Sequence, residues 1–168
     1  MIQIKKVRAD HVIDFAAEEL KKYLRMMMPE GGDVVINDTP ENGGFRLGVM
    51  QDFNLDVSDV KDTVLDDLLY IDCDTEGGII AGDNPRSVLL AVYEYLRQNG
   101  CRWLMPGVDG EYIPMQNIKP VKLRHVPTCR YRGWCNEGAE FQQCMLETID
   151  FYAKQELNVY MIEFDNPY

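Results

Sequence analysis

Two apolar segments near the C-terminal end of the chain are each followed by a pair of polar residues. The segments are residues 131–135 and 159–164, and the polar residues are Asn136, Glu137, Asp165 and Asn166. If both segments are parallel strands, these side chains follow the carboxyl ends of the strands, where parallel barrels carry their catalytic groups. Carboxylates and amides there can accept hydrogen bonds, and a carboxyl group can also transfer a proton. We therefore expect a functional site at this edge.

The sequence between these segments predicts the element that would hold them parallel. Residues 139–157 have the spacing of an amphipathic helix, and residues 159–164 are almost continuously apolar, as in a buried parallel strand. Strand, helix and strand in that order predict one parallel unit with a right-handed crossover. Because a barrel of eight such units needs ~250 residues, we expect a truncated βαβ start of a (β/α)8 barrel, and the sequence to be a fragment.

A second group of signals lies in residues 77–114. Residues 79–81 predict a short strand, Asn84 can cap a following helix, and Pro85 suits its first position. Gly100 lies where a left-handed residue ends such a helix. This stretch therefore predicts a strand, a capped helix and a turn in close succession.

The preceding residues predict further strands and one more helix. Strands are expected near residues 2–7, 33–37 and 45–50, and residues 68–72 and 78–81 form a predicted hairpin. A helix from about Asp10 has one apolar face, consisting of Val12, Phe15, Ala16, Leu20, Tyr23, Leu24 and Met27. Residues 51–67 are acidic and predict an exposed excursion with one short helix.

These elements predict an α+β fold with a mixed sheet and two packed helices. From residue 107 to residue 127 the chain changes to an extended, proline-punctuated texture, with Pro114, Pro120 and Pro127. Such a change predicts a domain boundary. We therefore expect two domains, residues 1–125 and the strand–helix–strand unit of residues 126–168.

Two of these motifs resemble known enzymes. A strand ending in Gly82-Asp83, a helix and the edge Cys101-Arg102-Trp103 resemble the end of the N-terminal domain of alpha-glucuronidases, hexosaminidases and related glycoside hydrolases. Residues 131–137, YRGWCNE, resemble the first barrel strand of the same families. The resemblance implies that residues 1–125 are an accessory domain that precedes a catalytic barrel and does not itself catalyse.

The resemblance also implies a role for Arg132. In hexosaminidases the matching arginine contacts the sugar, so Arg132 is a candidate sugar ligand, while a structural arginine bound to a neighbouring carboxylate is the alternative. The chain departs from the hexosaminidase pattern because Asn136 stands where an Asp is expected. Asn136-Glu137 is closer to the Asn-Asp-Glu of some alpha-glucuronidases, without its Asp.

Glycoside hydrolysis requires two carboxyl groups on opposite sides of the scissile bond. Glu137 and Asp165 are one conceivable pair, but in the resembled families the catalytic acids come from later strands. We therefore assign no catalytic residue to this chain. The candidate substrate-binding residues are Arg132, Asn136, Glu137, Asp165 and Asn166. Trp103 and Trp134 have faces that suit sugar rings, although core packing is the favoured role for Trp103.

Composition excludes several other functions. The chain has 28 acidic and 17 basic residues and a formal net charge of −11, without a basic face for nucleic acid or anionic membranes. No apolar run approaches the ~20 residues of a membrane span. The N-terminus lacks the apolar core of a signal peptide, so we expect a cytoplasmic protein, or a secreted or periplasmic one if a signal was removed.

Cofactor and metal signals are weak. The five cysteines have neither a disulfide framework nor a zinc spacing, and no phosphate-binding loop or Gly-x-Ser-x-Gly elbow occurs. We expect no cofactor and no metal. The sequence predicts an inactive, non-catalytic N-terminal portion of a glycoside hydrolase, whose missing barrel or a dimer partner covers the tail. The alternative is a stand-alone carbohydrate-binding or protein-interaction module.

Overall fold

The computed structural model describes residues 1–37, 43–137 and 144–163. Two of the candidate site residues, Asp165 and Asn166, lie outside the described residues. For Asn136 and Glu137 the description is limited to the strand backbone.

The described chain forms ten strands and three α-helices. The strands are β1 (Ile2–Lys6), β2 (Val34–Asn37), β3 (Gly44–Val49), β4 (Leu69–Cys73), β5 (Gly77–Gly82), β6 (Arg102–Trp103), β7 (Glu111–Tyr112), β8 (Val121–His125), β9 (Gly133–Glu137) and β10 (Val159–Glu163). The helices are α1 (His11–Met27), α2 (Pro85–Gln98) and α3 (Met145–Lys154). Short 3-10 turns cover Met50–Phe53 and Val108–Gly110.

Six strands make one mixed sheet in the order β2-β1-β3-β5-β4-β8. The first four are parallel to one another, whereas β4 runs antiparallel to both β5 and β8. The α+β class and the predicted β4–β5 hairpin are therefore confirmed. Strand β8 lies within the stretch expected to be a linker, so the sheet continues to His125.

Helices α1 and α2 pack against each other and share one core with the sheet. Asp10 begins α1 by accepting hydrogen bonds from the Val12 and Ile13 amides at 2.8 and 3.3 Å. The prediction that Phe15 belongs to the buried face is wrong, because Phe15 is 48% exposed. The buried series runs back from Leu20 through Ala16 and Ala17 to Ile13, which turns Phe15 to the side.

A smaller apolar cluster covers a second part of the sheet. Its buried residues are Met50, Leu68 and Ala81, and Phe53 and Leu55 pack against them. The acidic segment 51–67 was expected to be an exposed excursion. Most of it is exposed or half-buried, as expected, although Phe53 and Leu55 pack against this cluster and Asp67 is buried.

Helix α2 begins and ends as its sequence predicts. The Asn84 side-chain oxygen accepts a hydrogen bond from the Ser87 amide at 3.0 Å, and Pro85 occupies the first turn. The Asn84 amide nitrogen also donates to the carbonyl oxygens of Thr63 and Asp66 at 3.0 and 2.9 Å. Gly100, with φ of +96°, follows the helix in the left-handed region that glycine tolerates.

The second unit consists of β9, α3 and β10. Strands β9 and β10 are parallel, with Gly133 opposite Val159 and Cys135 opposite Met161, as expected. Helix α3 ends at Lys154, three residues before the predicted end, because Glu156 takes a left-handed φ of +58°. Phe151 and Tyr152 belong to the same core cluster as the sheet domain. That this unit begins a (β/α)8 barrel stays a prediction, as does the boundary between residues 125 and 126.

Replacing Asn84 tests the start of α2. We expect Asn84→Ala to lower the free energy of unfolding by about 2 kcal/mol, because both the helix cap and the two amide hydrogen bonds are lost. Asn84→Ser keeps a cap oxygen and is expected to lose about half as much. Urea unfolding followed by circular dichroism measures both values. An Asn84→Ala variant as stable as the wild type would contradict the assigned role.

Candidate functional site

The carboxyl ends of β9 and β10 lie side by side, as the sequence predicts. The register pairs Asn136 with Ile162 and Glu137 with Glu163. Sequence reasoning missed Glu163, because it reads as part of an apolar segment. The signal was available, since Glu163 is the one charged residue in the apolar segment 159–164.

The two faces of this strand pair differ in what covers them. The Trp134 ring packs edge-on against Tyr152 and lies 6.4 Å from the Phe151 ring centroid, so this face looks toward α3. Cys135 and Met161, which occupy alternate positions, are exposed, Met161 by 54%. The face opposite α3 is therefore apolar and uncovered by the described residues.

Arg132 lies directly before β9, at the opposite end from Asn136 and Glu137. Its Nε donates to the Glu156 carbonyl at 2.8 Å, and its Nη1 donates to the Cys129 carbonyl at 2.8 Å. Its Nη2 donates to Asp67 Oδ2, also at 2.8 Å. These contacts support the structural alternative for Arg132, and sugar contact stays a prediction.

Asp67 is the centre of a buried polar cluster that joins the two parts of the chain. It accepts hydrogen bonds from Arg86 Nε at 2.9 Å and from Ser87 Oγ at 2.8 Å, both on α2. It also accepts from Arg132 Nη2 and Asn158 Nδ2, each at 2.8 Å. Arg132 precedes β9 and Asn158 precedes β10. One carboxylate thus fixes the amino ends of both strands to the sheet domain.

Electrostatics explain why Asp67 remains charged although its side chain is wholly buried. Burial alone would raise its pKa, but hydrogen bonds from Arg132 and Ser87 and the charge of Arg86 hold the pKa below its ordinary value. The neighbouring Asp83 behaves in the opposite way. Burial raises the pKa of Asp83, and the charge of Asp67 adds to the shift.

A second buried cluster attaches α3 to the sheet domain. Lys154 Nζ donates to Glu111 Oε1 at 2.9 Å and also bonds Asp150. The Tyr23 hydroxyl donates to the same Glu111 oxygen at 2.6 Å and accepts from Trp103 Nε1 at 3.2 Å. Burial alone would lower the pKa of Lys154, but the hydrogen bonds that its ammonium group makes with its partners, Asp150 first, raise the pKa above its ordinary range.

This Lys154 cluster has the composition of a structural contact. Burial, with the Glu111 hydrogen bond, raises the pKa of Tyr23 and keeps its hydroxyl neutral. Trp103 is only 5% exposed and packs edge-on against Tyr23 and Tyr93, so its predicted core role is confirmed. The charged and aromatic groups satisfy one another across the contact.

The described part of the chain has neither a metal-binding cluster nor a membrane-spanning helix. Within residues 1–37, 43–137 and 144–163, no cluster of three His, Cys, Asp or Glu side chains could hold a metal ion. Burial raises the pKa of Cys73 and of Cys101 to about 12, which keeps both thiols protonated. None of the described helices has the length and apolar character to cross a membrane.

Neither models of protein families nor curated proteins gave a match to this chain.

Replacing Asp67 tests the attachment. We expect Asp67→Asn to lower the free energy of unfolding by about 3 kcal/mol, because two guanidinium groups lose their buried carboxylate. Asp72→Asn is the matched control, because Asp72 pairs with the exposed Lys122 at the sheet surface, and a change below about 0.5 kcal/mol is expected. Urea unfolding measures both.

The same pair of proteins gives a pH test. The folded pKa of Asp67 is lowered, so its stabilising contribution is present above the ordinary value of 3.8 and is lost as the pH falls through the folded pKa. The stability difference between wild type and Asp67→Asn should therefore shrink in acid below that value. A difference that stays constant there would mean that the charge of Asp67 is not what holds the cluster.

Proposed function

We propose that this chain is the non-catalytic N-terminal portion of a glycoside hydrolase that resembles alpha-glucuronidases or hexosaminidases. Residues 1–125 are then the accessory domain, and residues 126–168 begin the catalytic barrel. The proposal combines the resemblance of residues 77–137 with the geometry of the strand pair.

The observation that carries the proposal is the way the β9–α3–β10 unit is attached. Asp67 binds Arg132 and Asn158, which precede the two strands, so the sheet domain holds the amino ends of both. In parallel barrels the amino ends of the strands serve stability and the carboxyl ends carry substrate. An accessory domain attached at the amino ends would support such a barrel without obstructing its active site.

The exposed apolar surface of the unit also supports the proposal. Parallel strands are normally buried on both faces, and a two-stranded sheet is marginal by itself. Trp134 is 58% exposed and Met161 is 54% exposed, on opposite faces of the pair. Further parallel strands and helices of a barrel would pair with the open edges and cover these side chains.

Under this proposal, substrate is bound at the carboxyl ends of the strands rather than at Arg132. Asn136 and Glu137 end β9, and Glu163 ends β10 beside Glu137. These positions would contribute hydrogen bonds to the sugar, while the paired acids that cleave the bond come from later strands. The net charge of −11 disfavours polyanionic ligands.

Two assays test the proposal. We expect the chain by itself to hydrolyse neither aryl glucuronides nor aryl N-acetylhexosaminides, because the proposal assigns the paired catalytic acids to later barrel strands. A colorimetric assay at high protein concentration measures the turnover. Activity that Glu137→Gln abolishes and Glu30→Gln leaves unchanged would contradict the non-catalytic role.

Reading the gene beyond the codon for Tyr168 provides the positive test. The proposal requires further alternating strand and helix patterns in the same frame, with Asp or Glu directly after late strands. A chain without them favours the stand-alone binding module. In that case glucuronic acid or N-acetylglucosamine should shift the NMR signals of residues near the exposed Trp134 and Tyr131.

A further inference from the structure

Two carboxyl groups share one guanidinium group where the tail contacts the sheet domain. Arg97 Nε lies 3.1 Å from Glu94 Oε2, and Arg97 Nη2 lies 2.9 Å from Glu156 Oε1. Glu94 and Arg97 belong to α2, whereas Glu156 follows α3. Because Nε and Nη2 lie on one edge of the guanidinium group, Arg97 holds the Glu94 and Glu156 carboxyl groups beside each other.

The neighbouring groups only partly balance the negative charge of Glu94 and Glu156. Gln98 Nε2 donates to Glu94 Oε1 at 2.6 Å, and His125 Nε2 on β8 lies 4.0 Å from Glu156 Oε2. From the tail side, Arg132 donates its Nε to the Glu156 carbonyl oxygen. The Glu94 and Glu156 side chains are only 11% and 17% exposed. Two largely buried carboxyl groups here face one directly paired cation.

The Glu156 backbone has an unusual conformation that hydrogen bonds maintain. Glu156 has a φ of +58°, a left-handed conformation that is unfavourable for a residue other than glycine. Its amide donates to the Ala153 carbonyl at 3.1 Å, and its own carbonyl accepts from Arg132. These hydrogen bonds fix the Glu156 backbone within the tail, and its side chain contacts α2 through Arg97.

Two carboxyl groups that are held beside each other and largely removed from water are most stable when they share one proton. We propose that Glu94 and Glu156 form such a proton-sharing contact, and that the attachment of the β9–α3–β10 unit to the sheet domain weakens as the pH rises from mildly acidic to mildly alkaline. This inference depends on the contact alone and holds whether or not the chain belongs to a glycoside hydrolase.

The sign of this pH dependence follows from the linkage between proton binding and folding. Burial first, and then the Glu94 carboxyl group, raise the pKa of Glu156 to about 7, although the charges of Arg97 and Arg132 oppose the shift. In the unfolded chain a glutamate has its ordinary value of 4.5. The stabilisation is therefore complete below the unfolded value and is lost as the pH rises through the folded value. The opposite slope is expected for Asp67, whose pKa is lowered.

Urea unfolding at pH 5, 6, 7 and 8 tests the proposal. From pH 5 to pH 8, we expect the unfolding constant of the wild type to rise by a factor about ten times larger than that of Glu156→Gln. This variant keeps the size of the side chain but cannot ionise. Glu94→Gln, from the other side of the pair, should reduce the slope in the same way and keeps the test valid if Glu156→Gln folds poorly.

Two control variants separate the pair from other titrating groups. Glu30→Gln, at an exposed position after α1, should keep the wild-type slope. His125→Gln should also keep it, because the proposal places the proton on the carboxyl pair. Loss of the slope in His125→Gln, or parallel curves for Glu156→Gln and the wild type, would overturn the proposal.

Amide hydrogen exchange locates the effect. After correction for the intrinsic pH dependence of exchange, the amides of α3 should lose protection relative to those of β3 and β5 between pH 6 and pH 8. The two sets should run in parallel in Glu156→Gln. Equal loss of protection in α3 and the central strands of the wild type would mean that the whole fold, rather than the attachment, responds, and would also overturn the proposal.

Discussion

The fold of this protein depends on keeping the buried Asp67 carboxylate paired. A carboxylate without water is tolerated only when hydrogen bonds and opposite charges replace its hydration. Asp67 obtains them from Arg86 and Ser87 on α2 and from Arg132 and Asn158 in the tail. Three segments far apart in sequence must therefore meet at one side chain. The position of the β9–α3–β10 unit follows from that requirement.

The other contacts between the two parts differ in how completely their charges are compensated. In the Lys154 cluster the ammonium group faces Glu111 and Asp150, and Tyr23 and Trp103 complete the hydrogen bonding. At Glu156 a second carboxyl group takes the place that a cation would fill, and only Arg97 pairs with both. Strong attachment and a pH-sensitive contact thus occur within the same interface, because burial acts on differently paired charges.

Local signals in the sequence predicted most of the sheet domain. The Asn84 cap, the Gly100 turn and the β4–β5 hairpin depend on neighbouring residues, and each was found where the spacing indicated. Phe15 was assigned to the wrong face, because a broad apolar stripe does not say which of its edges meets the sheet. The early end of α3 was missed as well, because the left-handed Glu156 is held by the distant Arg132.

The candidate site was predicted less well, because its contacts join residues that are far apart in the sequence. That β9 and β10 are parallel follows from strand order, and the pairing of Glu137 with Glu163 could have been counted along the two segments. The pairing of Arg132 with Asp67 could not have been predicted in this way, because Asp67 lies 65 residues away and the two residues share no sequence motif. An acidic surface segment gave no sign that one of its carboxylates is buried.

The contacts of Arg132 also constrain where a ligand can bind. Its Nε, Nη1 and Nη2 atoms all donate to protein acceptors, one of them a buried carboxylate. A sugar hydroxyl would have to displace a charge-assisted hydrogen bond and leave Asp67 less well paired, which costs more than a neutral hydrogen bond returns. The carboxyl ends of β9 and β10 lie at the opposite end of the strands from the Asp67 cluster. Binding there leaves the attachment of the tail intact, so the two ends of the strands can serve separate purposes.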